Sequence, residues 1–328
     1  MGRVFVSRQL PGRAIAILQE AGHAVEVWPG ELPPSPGILA ARVRGADALL
    51  ALLTDRIDAD LLEQSPRLRV VANMAAGYDN VDPGMAAGAG VWVTNTPGVL
   101  AETTADFAFA LLLDSGRRVT ESANSARAGE WRTWSPGGFL GLDVHGATLG
   151  IVGMGEIGQA VARRGLGFGM RVLFCGRPGQ TSKAGPPGTE QVSLAELLAA
   201  SDFVSLHVPL TESTRRLIGA RELAAMKRTA FLVNTARGSV VDQDALVKAL
   251  VTGEIAGAAL DVTDPEPLPG GHALYSLPNV VVTPHIASAS VATRSRMAEM
   301  AAANIVAVLA GEQPPNAVNR PQSPRRLP

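Results

Sequence analysis

The stretch Ala147–Gly165, ATLGIVGMGEIGQAVARRG, decides the fold of the middle of the chain. It opens on a largely apolar run typical of a buried parallel strand, and a helical pattern begins at Ile157. The two are joined by the GxGxxG pattern Gly153, Gly155 and Gly158, which permits a tight turn, close approach of a pyrophosphate and close helix–strand packing. Because backbone N–H groups at a helix N-terminus attract phosphate, the stretch predicts a Rossmann-type dinucleotide site.

On both sides of this stretch, short buried strands alternate with helices. Such alternation is typical of parallel sheets covered on both faces, and 328 residues are enough for two domains. The sequence therefore predicts an α/β protein with two doubly wound parallel sheets. The predicted strands are Val4–Ser7, Ala24–Val27, Ala46–Leu53, Val70–Met74, Val91–Thr94, Ala147–Val152, Arg171–Cys175, Phe203–His207, Ala230–Asn234, Gly257–Asp261 and Val280–Thr283, and the predicted helices include Gly12–Ala21, Leu100–Ser115, Leu194–Ala200, Ala220–Ala225, Gln243–Thr252 and Met297–Ala310.

Composition narrows the class of protein. With 29 Lys and Arg against 30 Asp and Glu, the chain has no net field that would hold nucleic acid or an anionic membrane. A single cysteine, Cys175, argues against an intrachain disulfide and a cysteine-rich metal site, and we expect no metal. We find no secretory signal and no apolar run of about 18 residues, so we expect a cytoplasmic protein. The Pro-rich end after Gly311 predicts a loose or surface-pinned tail.

The strand after the glycine motif bears on the choice of coenzyme. An acidic residue about 20 positions after the motif would bind the ribose 2′-hydroxyl of NAD. Here the strand ends in Phe174-Cys175-Gly176-Arg177, with no carboxylate. Because Arg177 can form a charge-assisted bond with a 2′-phosphate, we expect NADP(H) to be preferred, with NAD(H) as the alternative.

Three polar residues follow predicted strands in the second half of the chain: Arg237, Glu266 and His285. Ligands of open α/β sheets bind at this carboxyl edge. A guanidinium can pair with a substrate carboxylate or keto oxygen, a histidine can donate a proton near neutral pH, and a nearby glutamate favours the imidazolium form. The set predicts carbonyl reduction, with hydride from nicotinamide and the proton from His285.

At these residues the sequence resembles the D-isomer-specific 2-hydroxyacid dehydrogenase family, and the resemblance covers nearly the whole chain. It rests on five ordered blocks: Asn73–Asn80, Gly153–Gly158, Asn234–Gly238, Asp261–Pro267 and Pro284–Ser288. Within the family, the chain looks most like the branch that reduces glyoxylate and hydroxypyruvate, on account of Gly129–Pro136, Gly176-Arg177 and Leu260–Pro269.

The resemblance implies a role for each matching residue. Arg237 would bind substrate, Glu266 would orient and charge His285, and the backbone of Ala76 and Gly77 would hold the substrate carboxylate. Trp134 would reach the active site of the other subunit of a homodimer. The residues implied to contact the cofactor are Thr104, Gly153, Gly155, Glu156, Ile157, Gly158, Arg177, Pro209, Thr235, Asp261, His285 and Ala287.

The resemblance also implies the domain organisation. A flavodoxin-like substrate domain would comprise residues 1–98 and 288–328, a dinucleotide-binding domain would comprise residues 99–287, and the ligands would lie in a cleft between them. We expect an NADPH-preferring reductase of glyoxylate and hydroxypyruvate. Two alternatives stay open: an NAD-dependent D-2-hydroxyacid dehydrogenase with another substrate, and a dinucleotide-sensing, corepressor-like binding protein without turnover.

Overall fold

A computed structural model of the chain describes residues 1–176 and 185–325. They form two compact units, one made of Met1–Leu100 with the segment that begins at Ala289, the other of Ala101–Ser288. Each unit contains a parallel sheet flanked by helices, so the structure confirms the predicted α/β class and the two sheets.

The sheet of the first unit has the flavodoxin-like strand order. Its strands are β1 (Arg3–Val6), β2 (Ala24–Val27), β3 (Ala48–Ala51), β4 (Val70–Asn73) and β5 (Trp92–Thr94). All pair in parallel in the order β2-β1-β3-β4-β5, as in doubly wound folds of this type. The helices of this unit are α1 (Ala14–Glu20), α2 (Pro36–Val43), α3 (Ala59–Glu63), α4 (Pro83–Gly88) and, from the end of the chain, α11 (Val291–Leu309).

The central strands of this sheet are buried on both faces. Val4 and Val6 pack into one apolar cluster with α1 and α11, whereas Phe5 between them packs into a second cluster on the opposite face. Successive side chains of a strand point to opposite faces, so a continuous apolar run is what a sheet covered on both sides requires.

The second unit has the Rossmann strand order extended by one strand. Its strands are β6 (Thr148–Val152), β7 (Arg171–Cys175), β8 (Thr189–Gln191), β9 (Phe203–Leu206), β10 (Phe231–Asn234), β11 (Gly257–Leu260) and β12 (Val280–Val282). The order β8-β7-β6-β9-β10-β11 corresponds to the 3-2-1-4-5-6 arrangement, and β12 follows as an edge strand. The helices are α5 (Ala101–Arg117), α6 (Val119–Arg127), α7 (Glu156–Gly167), α8 (Leu194–Ala200), α9 (Ala220–Ala224) and α10 (Gln243–Val251), with short 3₁₀ helices at Gly238–Val240 and Ala273–Ser276.

The strands of the second unit end at the same level. Asn234, the last residue of β10, pairs with Leu206 of β9 and with Leu260 of β11, and Leu260 in turn pairs with Val282 of β12. Val152 of β6 pairs with Leu206 as well. Loops that follow these strands therefore leave one edge of the sheet together.

The last helix of the chain begins earlier than the sequence predicted. Helix α11 begins at Val291 rather than at the predicted Met297, because the Ser290 hydroxyl accepts a bond from the Thr293 N–H at 3.1 Å and caps the helix. The first turns of α11 lack the apolar repeat on which the prediction was based. Helices α2, α3, α4 and α6 and strand β8 were not assigned from the sequence.

The tail after α11 is pinned to the first unit through Arg325. Ala317 forms an antiparallel bridge with Thr94, and the Asn319 side chain donates to the carbonyls of Pro83 and Val91 at 3.0 and 2.9 Å. The tail therefore covers the open side of β5, an edge strand that would otherwise expose unpaired backbone groups. Among the described residues, no helix is both long and apolar enough to cross a membrane.

Candidate active site

Residues predicted to act in chemistry follow three neighbouring strands of the second unit. Arg237 lies three residues after β10, Asp261 directly follows β11, and His285 lies three residues after β12. Because these strands end in register, the three residues leave the same edge of the sheet. This edge is where α/β sheets bind ligands.

A buried carboxylate holds the turn that carries His285. Asp261 is 1 % exposed and accepts bonds from the N–H groups of Ile286 and Ala287, each at 2.8 Å, and from the Thr283 hydroxyl at 2.7 Å. Burial raises the pKa of the Asp261 carboxyl, and the three hydrogen bonds lower that pKa in opposition. The turn places His285 at φ +54°, in the left-handed region that non-glycine residues seldom adopt.

The imidazole of His285 contacts the carboxylate of Glu266. His285 Nδ1 lies 2.8 Å from Glu266 Oε2, and the two side chains are 30 % and 38 % exposed. With Nδ1 engaged by a carboxylate, Nε2 is the ring atom that can carry a transferable proton. The pair has the geometry of an acid–base dyad in which the carboxylate orients the ring.

The loop that carries Glu266 is fixed by its neighbours. The other oxygen of Glu266, Oε1, accepts from the Thr263 N–H at 3.0 Å. The Gln243 side chain donates to the Asp264 carbonyl at 2.9 Å and accepts from the Asp264 N–H at 3.1 Å. A Cβ on Gly238 would lie 2.0 Å from the Thr263 carbonyl carbon and oxygen, so only glycine permits this approach.

That glycine directly follows Arg237, whose backbone is held by the end of β10. The buried Asn234 side chain donates from Nδ2 to the Arg237 carbonyl at 2.9 Å and accepts from the Ala236 N–H at 3.0 Å. The guanidinium donates from Nη1 to the Ala236 carbonyl at 2.8 Å. The turns that carry Arg237 and Glu266 therefore pack against each other through Gly238 and Thr263.

The glycine motif forms a tight turn between β6 and α7. Gly153 adopts φ +100°, and a Cβ there would lie 2.6 Å from the His207 carbonyl oxygen. A Cβ on Gly158 would lie 2.1 Å from the Gly153 carbonyl oxygen, whereas one on Gly155 would meet no atom within 4 Å. Two of the glycines thus permit packing, and the third, as the N-cap of α7, leaves space in front of the helix N-terminus.

Other residues expected to contact a cofactor also belong to the second unit. Glu156 and Ile157 form the first turn of α7, Pro209 lies three residues after β9, and Thr104 is buried in α5. Thr235, directly after β10, is 8 % exposed, and its hydroxyl has no hydrogen-bond partner within the described ranges. A buried hydroxyl without a partner is costly unless a ligand or water completes it.

The remaining predicted residues are placed elsewhere. Ala76 and Gly77 belong to the first unit, where they follow β4. Trp134 follows α6 in the second unit and is 80 % exposed. Arg177 lies outside the described residues.

Sequence reasoning missed the residues that hold these turns. His207 lies at the carboxyl end of β9 beside Gly153; burial of its ring lowers the pKa of His207 to about 3, so the imidazole is neutral. The side chains of Asn234, Gln243 and Thr263 donate to backbone carbonyls around the candidate dyad. One signal was available for Asn234, because asparagine is depleted in strands and here it ends a buried one.

Comparisons with known proteins agree with this architecture. Residues 109–287 match the family model described as D-isomer specific 2-hydroxyacid dehydrogenase, NAD binding domain. The chain is 55 % identical over 319 residues to a glyoxylate reductase of Korarchaeum cryptofilum, and 52 % identical over 322 residues to one of Aeropyrum pernix; each match covers 97 % of this chain and 96 % of the relative.

Solved structures also match this chain over nearly its whole length. A crystal structure of a Thermus thermophilus protein matches with a TM-score of 0.91 at 53 % identity, over 96 % of this chain and 99 % of that one. An NADPH-dependent glyoxylate/hydroxypyruvate reductase of Sinorhizobium meliloti, in complex with NADP and malonate, matches with a TM-score of 0.86 at 34 % identity, over 100 % and 99 % of the two chains.

The glycine turn and the unpartnered Thr235 hydroxyl fit a nicotinamide dinucleotide. When bound in its reduced form, this cofactor supplies a hydride. The open space before α7 would receive the pyrophosphate at the backbone N–H groups of the first helical turn.

Substitutions at Gly158 and Gly155 distinguish a glycine that is needed for packing from one that leaves room for a ligand. In Gly158→Ala, the new Cβ must displace the Gly153 carbonyl, so we expect a loss of about 1–3 kcal/mol in the free energy of unfolding without ligand. In Gly155→Ala the methyl enters open space, so we expect that free energy to change by less than about 0.5 kcal/mol. Urea titrations measure both variants.

Cofactor affinity should behave differently, because the Gly155 methyl would meet the incoming phosphate. We expect about a tenfold weaker coenzyme Kd in Gly155→Ala by fluorescence titration. Gly167→Ala is the matched control, since that glycine also has open space and lies at the far end of α7. Equal coenzyme affinity in Gly155→Ala and Gly167→Ala would contradict the assignment of the turn.

Proposed function

Since the chain belongs to the D-isomer specific 2-hydroxyacid dehydrogenase family of nicotinamide-dependent oxidoreductases, we propose that it reduces glyoxylate and hydroxypyruvate with NADPH, and that His285 is the proton donor. One observation supports the proposal above the others, namely the 2.8 Å contact between His285 Nδ1 and Glu266 Oε2 at the edge of the sheet where Arg237 also lies.

The chain's own residues account for the proton side of the reaction. The Nε2–H of the His285 imidazolium donates to the carbonyl oxygen as hydride reaches the carbonyl carbon, and the product is a 2-hydroxy acid. Glu266 keeps the ring oriented before the transfer, and solvent returns the proton afterwards. Both side chains are partly exposed, which gives that proton a route.

The guanidinium of Arg237 is suited to an anionic keto acid. Its planar donors can bind a carboxylate or a keto oxygen in a directional way. The bonds from Asn234 to the backbone of Ala236 and Arg237 fix where this side chain begins. The backbone of Ala76 and Gly77 is proposed to bind the same carboxylate. The S. meliloti relative is named for reduction of glyoxylate and hydroxypyruvate, which supports this substrate class.

The preference for NADPH is proposed from the end of β7. That strand ends at Cys175, and Gly176 and Arg177 follow in place of the carboxylate that would bind a ribose 2′-hydroxyl. The S. meliloti relative is NADPH-dependent and its structure holds NADP. A carboxylate at this point would repel a 2′-phosphate, whereas an arginine attracts it.

We also propose a homodimer in which Trp134 completes the partner's site. In the described residues, α6 has no buried side chain, and Trp131 and Trp134 after it are 78 % and 80 % exposed. Exposed indoles in a short stretch are typical of an interface. Sedimentation equilibrium should give twice the chain mass of 34.0 kDa, and a monomeric mass would exclude the dimer.

A substrate panel tests the proposed activity. Glyoxylate, hydroxypyruvate and pyruvate are assayed with NADPH and with NADH, in wild type and in His285→Ala. We expect wild-type turnover to be highest with the first two acids and NADPH, and kcat to fall at least about a hundredfold in His285→Ala while the coenzyme Kd stays within about twofold.

His145→Ala, which changes an exposed histidine of the same unit, is the control and should keep wild-type rates. Full activity of His285→Ala would remove His285 from the mechanism. Turnover confined to a bulkier 2-keto acid with NADH would favour another dehydrogenase of the family. Dinucleotide binding without turnover on any acid would favour a sensing protein.

Glu266 should affect the rate through the orientation of the His285 ring. Glu266 Oε2 lies 2.8 Å from His285 Nδ1, so the carboxylate fixes the direction in which Nε2 points. In Glu266→Gln this charge-assisted bond becomes weaker, and we expect kcat for glyoxylate to fall about tenfold while the coenzyme Kd stays within about twofold. Steady-state rates measure it, with Glu254→Gln as a control, and an unchanged kcat in Glu266→Gln would contradict the pairing.

Arg177→Ala tests the coenzyme preference. We expect the Kd for NADPH to rise about tenfold, because one charge-assisted bond to the 2′-phosphate is lost, and the Kd for NADH to stay unchanged. Arg171→Ala, six residues earlier at the start of β7, is the matched control. Unchanged NADPH affinity in Arg177→Ala would refute the argument from this arginine.

A further inference from the structure

The turn after β4 has its carbonyl groups occupied one after another. The Ala75 carbonyl accepts from the Thr96 N–H at 2.8 Å. The Ala76 carbonyl accepts from Asn95 Nδ2 at 2.8 Å, and the Gly77 carbonyl accepts from Asn73 Nδ2 at 2.9 Å. Two asparagine side chains therefore fix the orientation of the peptide groups on the C-terminal side of Ala76 and Gly77.

The N–H groups of the same turn differ from its carbonyl groups in their hydrogen bonding. Across residues 1–176 and 185–325, neither the Ala76 nor the Gly77 N–H donates to a protein acceptor, and both residues are partly exposed. Unpaired backbone N–H groups in succession form a concavity that binds anions. Because the Asn95 amide fixes the peptide between Ala76 and Gly77, it also fixes the direction of the Gly77 N–H.

The two asparagines are themselves held firmly. Asn73 is fully buried, and its Nδ2 also donates to Asn80 Oδ1 at 3.2 Å. Asn80 donates to the carbonyls of Leu52 and Asp55 at 3.1 and 2.9 Å, which connects the turn to the end of β3. The Asn95 N–H donates to the carbonyl of Asn316 in the pinned tail at 3.3 Å. Side chains anchored in this way can hold a backbone without rotating themselves.

We propose that Asn73 and Asn95 are positioning residues that make the enzyme select substrates with a free carboxylate. Asn95 acts through the peptide between Ala76 and Gly77, and so keeps the Gly77 N–H directed at a carboxylate oxygen. Asn73 holds the carbonyl of Gly77 and so fixes the other side of the same residue, while the Ala76 N–H lies beside it for the second oxygen. The inference rests on the proposed function, since it assigns the carboxylate of the proposed keto acid to this turn.

Loss of the Asn95 amide leaves the peptide between Ala76 and Gly77 free to rotate. The Gly77 N–H then points toward the substrate for only part of the time, and small errors of position weaken binding and turnover strongly. An uncharged substrate gains less from these N–H groups, because hydrogen bonds to an ionised acceptor are about twice as strong as neutral ones. The asparagines should therefore matter more for a carboxylate than for its ester.

The experiment compares glyoxylate with its methyl ester in wild type, Asn95→Ala, Asn95→Asp and Asn73→Ala. Asn95 is only partly buried, so Asn95→Ala is the variant expected to fold best, and Asn95→Asp keeps the shape while it removes the donor. We expect KM for glyoxylate to rise about tenfold, and the ratio of kcat/KM for glyoxylate over the ester to fall by a similar factor. The coenzyme Kd should stay within about twofold.

Asn319→Ala is the matched control. Its amide also holds two backbone carbonyls in the first unit, but neither belongs to this turn. It should keep the wild-type KM and the wild-type ratio, even if it lowers the melting temperature. If Asn95 had a purely structural role, its loss would lower the rates for acid and ester equally, and that result would overturn the inference. An unchanged KM for glyoxylate in Asn95→Ala and Asn73→Ala would overturn it as well.

Calorimetric binding of oxamate, an unreactive keto-acid analogue, in the presence of reduced coenzyme separates this inference from the proposed function. Wild type that binds oxamate and loses about tenfold in affinity in Asn95→Ala supports the turn, whether or not glyoxylate is reduced. Wild type without turnover of any keto acid refutes the proposed activity alone. If wild type reduces glyoxylate, and Asn95→Ala and Asn73→Ala bind oxamate with the wild-type affinity, the inference alone is refuted.

Discussion

The buried carboxylate of Asp261 is the constraint on which the candidate site depends. It accepts from the backbone of Ile286 and Ala287, and so holds His285 in a left-handed conformation that an isolated chain would avoid. Burial of an ionised group is costly, and burial indeed raises the pKa of Asp261. The hydrogen bonds offset that cost, and the carboxylate at the end of β11 fixes the turn after β12.

A dinucleotide-dependent reduction needs room for the cofactor and a group that can donate a proton. Around this anchor, the second unit provides them with different kinds of residues. Tight backbone packing forms the glycine turn at Gly153 and Gly158, where side chains would collide with carbonyl oxygens. Polar side chains instead form the dyad of His285 and Glu266. The two histidines at this edge differ accordingly. The ring of His207 is neutral and contacts the Ser205 hydroxyl, while the His207 carbonyl lies beside the glycine turn, and the ring of His285 contacts a carboxylate.

The sequence contained most of the architecture, because continuous apolar runs and helical periodicity record burial directly. Strands β2 and β7 and helix α8 have the predicted bounds, and the glycine motif joins the end of β6 to the first turn of α7 as its spacing indicated. The polar start of α11 was missed, since Ser290 defines it through a cap rather than through apolar repetition. Residues such as Gln243 and Thr263 could not be found, because their bonds to the Glu266 loop depend on loop conformations that no periodic pattern encodes.

In both units, an asparagine at the end of a strand holds the turn that follows it. Asn73 ends β4 and donates to the carbonyl of Gly77, and Asn234 ends β10 and donates to the carbonyl of Arg237, each at 2.9 Å. A residue just beyond a strand has lost its ladder partner, and the buried amide supplies a donor in its place. Aspartate has the same shape but would place a charge in the core and would lack the donor. An asparagine that ends a buried strand is therefore a sequence signal for a fixed turn at the carboxyl edge of the sheet, and it points here to Ala76–Gly77 and to Arg237 alike.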